Sequence, residues 1–148
     1  MDQAFLIYDP DCGFCRWCLG KVLAWDRHRT LRPVALGGPE AHRLLDGMPE
    51  EERMSSWHLA DGVGQVESAG AAFPPLLGRL PGGAPLASAA ARFPRPVDRV
   101  YRWVAANRSR WGRFVTDGAK RRADRRIEER AQNAATSGRH QNAVTGGR

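Results

Sequence analysis

Three cysteines, Cys12, Cys15 and Cys18, fall within seven residues, where one hydrophobic periodicity gives way to another. Phe5-Leu6-Ile7-Tyr8 is a short continuous apolar run closed by Asp9-Pro10-Asp11. Such a run suits a strand buried on both faces, and it is read as the first, central strand of a sheet. Beyond it Cys15, Cys18, Val22 and Trp25 recur at i, i+3, i+7 and i+10, with Leu19 and Leu23 widening the stripe. That period predicts an amphipathic helix from Gly13 to about Arg27, beginning next to Cys12.

The rest of the chain builds on this strand and helix. Residues 31–36 predict a second strand, and Pro33, which lacks a backbone donor, argues for an edge position or a strand end. Pro39 opens a short helix to about Leu45, and Glu50-Glu51-Glu52-Arg53 reads as a solvated segment. Residues 56–60 alternate, and Asp61-Gly62-Val63-Gly64 is a turn signal before residues 65–67, so a hairpin is expected. From Ser68 a weakly helical stretch is expected to be broken or kinked by Pro74-Pro75. A small Ala-rich helix follows over residues 86–93, and a clearer one starts near Pro96, with Val97, Val100, Tyr101 and Val104 on one stripe, ending near Asn107. The simplest arrangement is α/β: two parallel strands joined by a right-handed crossover, a hairpin completing a mixed sheet, and helices on both faces.

A length of 148 residues with 42% hydrophobic content supports one modest core. No apolar run approaches the roughly 18 residues needed to span a bilayer, and Met1-Asp2-Gln3 does not open a signal peptide, so a cytoplasmic protein is expected. The formal net charge of +7 is uneven: residues 119–148 hold eight Lys or Arg against three acids, whereas residues 1–118 hold fifteen basic and thirteen acidic residues. The high pI thus describes the tail more than the folded body and is a weak argument that the folded part binds nucleic acid, which is not expected as a partner. The expected division is a domain over residues 1–112 and a basic, partly disordered tail over residues 113–148, with disorder from about Thr136.

A Cys-x-x-Cys at a strand-to-helix junction has a definite chemical use. Cys12 falls at or before the first helical turn, where free N–H groups and the macrodipole favour the thiolate. Cys15 follows three residues later on the same side, within disulfide reach. An exposed nucleophile followed by a more buried resolving thiol is what thiol–disulfide exchange needs. On these residues alone, metal ligation and inert core cysteines remain as alternatives.

The segment Tyr8-Asp9-Pro10-Asp11-Cys12-Gly13-Phe14-Cys15-Arg16-Trp17-Cys18 strongly resembles the opening of the DCC family of predicted thiol-disulfide oxidoreductases, whose usual form is Tyr-Asp-Gly-x-Cys-x-x-Cys. The resemblance continues more loosely through Leu31-Arg32-Pro33-Val34-Ala35-Leu36, Asp61-Gly62, Tyr101-Arg102-Trp103 and Asn107-Arg108, covering roughly residues 4–112. It implies a thioredoxin-like core with a helical extension and redox chemistry at Asp9, Cys12 and Cys15. Pro10 stands where the family usually has Gly, Phe73-Pro74-Pro75 interrupts a segment usually helical, and no Pro directly precedes the strand beginning at Ser56.

The expected function is thiol–disulfide exchange without a bound cofactor, with Cys12 attacking and Cys15 resolving, and with an unidentified protein or small-molecule thiol as partner. A carboxylate about 6 Å from Cys12 opposes the thiolate by on the order of 2 to 3 kcal/mol at an effective dielectric near 20, so Asp9 and Asp11 pull against the helix terminus. Asp9 is expected to take the proton from Cys15 during resolution; the plainer alternative is that Asp9 or Asp11 only caps the helix. Cys18, roughly 9 Å along the helix from Cys12, reads as a core cysteine. Two rival functions stay open: a zinc or iron–sulfur module using the three cysteines, with His28, His42 or His58 as a further ligand, and a non-enzymatic interaction protein with a basic tail.

Overall fold

A computed structural model describes residues 3–145, with side chains through residue 134. The strands are β1 (Ala4–Tyr8), β2 (Leu31–Ala35), β3 (His58–Ala60) and β4 (Val66–Ser68). The helices are α1 (Gly13–Trp25), α2 (Pro39–Leu44), α3 (Glu50–Ser55), α4 (Phe73–Arg79), α5 (Ala84–Arg92), α6 (Pro94–Ala106), α7 (Arg108–Gly112) and α8 (Asp117–Thr145).

The strands form one mixed sheet in the order β2-β1-β3-β4. β1 pairs parallel with β2, Ala4 opposite Leu31 through Tyr8 opposite Ala35, and antiparallel with β3, Leu6 opposite Leu59. β1 is thus interior and β2 an edge, where the missing N–H of Pro33 does least harm. The period-two pleat of β1 divides the core: Leu6 packs with Leu19, Leu23, Leu59, Leu76 and Ile127, while Ile7 packs with Val34, Leu36, Ala41, Leu45 and Ala60. α1, α4 and α8 cover one face and α2 the other. This is the α/β, thioredoxin-like sheet with helices on both faces.

Three stretches differ from the sequence reading. The acidic run joins a short helix, α3, with Glu50, Glu51 and Glu52 in its first turn, where the macrodipole favours them. Pro74-Pro75 lies in the first turn of α4, after a 3₁₀ turn over Ala69–Ala72, so the prolines start a helix. First-turn amides have no intrahelical partner, and losing one is harmless there. The same reason moves the start of α6 to Pro94.

α8 runs through the residues assigned to the basic tail, whose interleaved charges between Lys120 and Arg130 suit a solvated helix; what composition does not suggest is its packing on α1. Ala123 and Ile127, one turn apart, are 3% and 7% exposed, and burying Ile127 contributes about 1.5–3 kcal/mol. Ala123 meets α1 at Gly20, where any side-chain carbon would lie 2.6 Å from the Ala123 Cβ. Two small residues let the helix backbones approach closely, so a sparse apolar stripe suffices. The expected disorder from about Thr136 falls on residues whose side chains, and for 146–148 whose backbone, lie outside the described residues.

Candidate functional site: the Cys12–Cys15 pair

Cys12 is the N-cap of α1, with extended backbone (φ −91°, ψ 104°). The Cys15 amide donates toward its Sγ at 3.2 Å. The Cα atoms of Cys12 and Cys15 are 5.2 Å apart and their sulfurs lie at disulfide distance, as the spacing leads one to expect. The first turn of α1 carries no acid. A cysteine at a helix N-cap has the unpaired first-turn N–H groups and the positive end of the helix dipole beside it, a setting that in general favours a thiolate.

The Asp9-Pro10-Asp11 loop sets the approach to this turn. Asp9 Oδ1 accepts from the Asp11 amide at 2.9 Å, an Asx turn, and Asp9 Oδ2 lies 3.5 Å from Arg108 Nη1 at the start of α7. Since Cys12 itself is the cap, Asp9 braces the loop and pairs with Arg108. Phe14 stacks on Trp17 at 5.9 Å, and a Cβ on Gly112 of α7 would stand 3.7 Å from the Phe14 Cβ. α7 therefore packs against the first turn of α1, between the two cysteines.

Beside the pair lies a cavity of about 220 Å³, bounded chiefly by apolar side chains of β1, α1, α4 and α6, among them Leu6, Leu19, Val22, Phe73 and Leu76, and by Trp57 just before β3. Cys15, Cys18, Asp9, Tyr101 and Arg108 also line it, so two cysteines, a carboxylate and a guanidinium share one space. Trp57, Phe73 and Tyr101 form its aromatic wall, with edge-to-face contacts at 5.3 and 6.1 Å, and the Tyr101 hydroxyl accepts from the Trp57 amide at 3.4 Å. Cys18 is a free thiol, and burial pushes it up to about 11.

Among the described residues, the ring nitrogens of His42 and His58 turn to partners other than the cysteines. His58 is buried, with Nδ1 2.6 Å from Ser68 Oγ and Nε2 3.0 Å from the Arg53 carbonyl, so both ring nitrogens are engaged. His42 Nδ1 lies 3.0 Å from the Gly38 carbonyl. Among the described residues no three His, Cys, Asp or Glu side chains gather as a metal site.

A family model described as DCC1-like thiol-disulfide oxidoreductase matches residues 6–114. The chain belongs to that family. Comparison with curated proteins and with solved structures returns no match. As a DCC1-like thiol-disulfide oxidoreductase it carries its Cys-x-x-Cys pair on the cap and first turn of α1. No described helix is long and apolar enough to cross a membrane. Sequence reasoning missed Arg108 as the partner of Asp9. Its only local signal was its place in the Asn107-Arg108 resemblance. It also missed the cavity wall, although Tyr101 already stood on the apolar stripe of α6.

Proposed function

We propose that Cys12 is the attacking thiol, Cys15 the resolving thiol and Asp9 the proton acceptor for Cys15. The Cys12 thiolate attacks one sulfur of a substrate disulfide; a mixed disulfide forms and the other sulfur leaves as a thiolate. Cys15 gives its proton to the Asp9 carboxylate and attacks Cys12 Sγ, releasing the second substrate sulfur. Asp9 returns the proton to a departing thiolate. The substrate disulfide gains two electrons and the protein dithiol loses them, and the reverse sequence oxidises a dithiol substrate.

The observation that carries this reading is the Cys12 sulfur at the cap of α1, facing the Cys15 amide at 3.2 Å. Asp9 is supported as the acid–base group by the cavity it lines with Cys15. The partner is a protein or small-molecule thiol or disulfide, and no bound cofactor takes part in the scheme. We assign the chemistry to residues 1–112, with residues 113–148 as an appended segment. The free Cys18 suits a reducing compartment, and the cytoplasm is the proposed place of action.

The test is mass-resolved thiol alkylation of the metal-analysed protein across a graded dithiol redox buffer. A reversible two-electron transition is expected, lost in Cys12→Ser and Cys15→Ser and kept in Cys18→Ser. Asp9→Asn should slow resolution of the mixed disulfide and alter its pH profile. Protection of all three cysteines together with stoichiometric zinc or iron would overturn the redox reading; an unchanged profile in a folded Asp9→Asn variant would remove only the base.

A further inference from the structure

Lys120 lies on α8, beyond the family-matched residues 6–114, yet its side chain lies on the first residue of the redox helix. Its Cε and Cδ stand 3.6 and 3.8 Å from the point a Cβ on Gly13 would occupy. Gly13 directly follows Cys12, and the ammonium is one bond beyond Cε, so a positive charge is held at the turn that Cys12 caps. The Lys120 side chain is only 29% exposed, whereas its acid partner Asp117 is 85% exposed and 3.9 Å away, leaving the charge weakly neutralised.

The other charges around this turn are mostly paired off. From the preceding loop come Asp9 and the exposed Asp11, from α1 Arg16, from α7 Arg108, and from α8 Asp117 and Asp124. Asp9 pairs with Arg108 at 3.5 Å and Arg16 with Asp124 at 3.4 Å. A close pair of opposite charges projects little field beyond itself, whereas a lone charge falls off only as the inverse of distance. Arg16 Nη2 also stands 3.9 Å from the point a Cβ on Gly13 would occupy, but that guanidinium has Asp124 at 3.4 Å with both side chains 34% exposed, whereas the ammonium of Lys120 has only the more exposed Asp117, at 3.9 Å.

We propose that Lys120 is a positioning residue for disulfide exchange: its ammonium holds Cys12 in the thiolate form, so that a helix outside the matched part of the chain tunes the nucleophile. The proposal rests on Cys12 being the attacking thiol. It goes beyond that assignment by giving α8 a chemical role as well as a structural one.

The experiment uses the full-length reduced chain carrying Cys15→Ser and Cys18→Ser, so that Cys12 alone reacts, and follows the pH midpoint of its alkylation by mass. Lys120→Met should raise the midpoint by about half to one pH unit at low salt, and the difference should shrink as ionic strength rises. Lys120→Arg, which keeps the charge and guards against a simple packing defect, should restore the midpoint. An unmoved midpoint in Lys120→Met, or a shift in Lys120→Arg as large as that in Lys120→Met, overturns the proposal. The nucleophile assignment is read separately by titrating the Cys12-only and Cys15-only chains side by side. A lower midpoint for Cys15 would sink that assignment, and this proposal with it, whatever Lys120 does.

Discussion

Arg130, on α8, places its Nη1 2.7 Å from Oδ2 of Asp26, the residue that caps the C-terminal end of α1. Asp26 is 0% exposed, and it also accepts from the Thr30 amide and hydroxyl, both at 3.1 Å, and from the Leu31 amide at 2.9 Å. Arg130 Nη2 donates to the carbonyls of Leu23 and Asp26 at 3.0 and 2.7 Å, filling acceptors that a helix end leaves open. One guanidinium thus ties α8, the end of α1 and the start of β2 together.

Breaking this pair by Arg130→Met should destabilise the fold by about 3–5 kcal/mol, because the carboxylate is left buried without its counter-charge. Burial by itself raises the Asp26 pKa, but hydrogen bonds from Arg130, Leu31 and Thr30 outweigh it and hold the carboxyl below its usual 3.8. A depressed carboxyl stabilises fully above the unfolded value and loses that contribution as pH falls through the folded one. Urea denaturation of both proteins should show the deficit of the variant in full at neutral pH and shrinking in acid, where the carboxyl left buried without Arg130 takes up its proton first and the native one follows below pH about 3.8. A deficit independent of pH would mean that packing, not charge, is what Arg130 supplies.

Gly20→Val should separate α1 from α8. A Cβ at position 20 would lie 2.6 Å from the Ala123 Cβ and 2.8 Å from its Cα, and helix backbone cannot yield as a flexible side chain can. Overpacking of this kind costs about 1–3 kcal/mol, and Ala123→Gly in the same chain should recover part of it, a coupling that a double-mutant cycle measures directly. Equal losses in the single and double variants would rule out this contact as the cause.

His58 should remain neutral below its ordinary value of 6.5, because burial holds its pKa down. The unfolded chain then takes up a proton first as pH falls, so stability is complete above pH 6.5 and declines as pH drops through that value toward the folded pKa. NMR titration of the imidazole checks the direction, and a midpoint at or above 6.5 would refute it. In His58→Gln the slope of stability in this window should be lost.

Cys18, with its thiol pushed up to about 11, should alkylate slowly in the native protein. The thiolate is the reactive form, so at pH about 8 its rate should fall roughly two orders of magnitude below that of the unfolded chain. Comparing alkylation of a Cys12→Ser, Cys15→Ser chain with and without denaturant gives the ratio. Equal rates would show Cys18 to be an open thiol and end its reading as a packed residue.

The redox turn was readable because everything that forms it is local. A four-residue apolar run, a Pro-containing stop and a change of period to that of a helix place Cys12 at a cap using interactions among residues close in sequence. The edge position of β2 was equally legible, since Pro33 lacks a donor wherever it stands. The packing of α8 was not, because Ala123, Ile127 and Arg130 look like isolated residues in a charged helix until Gly20 and Asp26 are set against them. The same holds for the Asp9 to Arg108 pair and for the Trp57, Phe73 and Tyr101 wall, whose members come from distant parts of the chain.

By itself the sequence determined where the strand ends, where α1 begins and that two thiols share its first turn, because capping, periodicity and turn chemistry act over a few residues. Only the tertiary structure decided what surrounds them: the cavity beside Cys15, the guanidinium on Asp9, the lysine over Gly13 and the Arg130 clasp on Asp26, spanning 104 residues. Such contacts depend on which distant segments the fold brings together, and no local propensity encodes a partner that far along the chain.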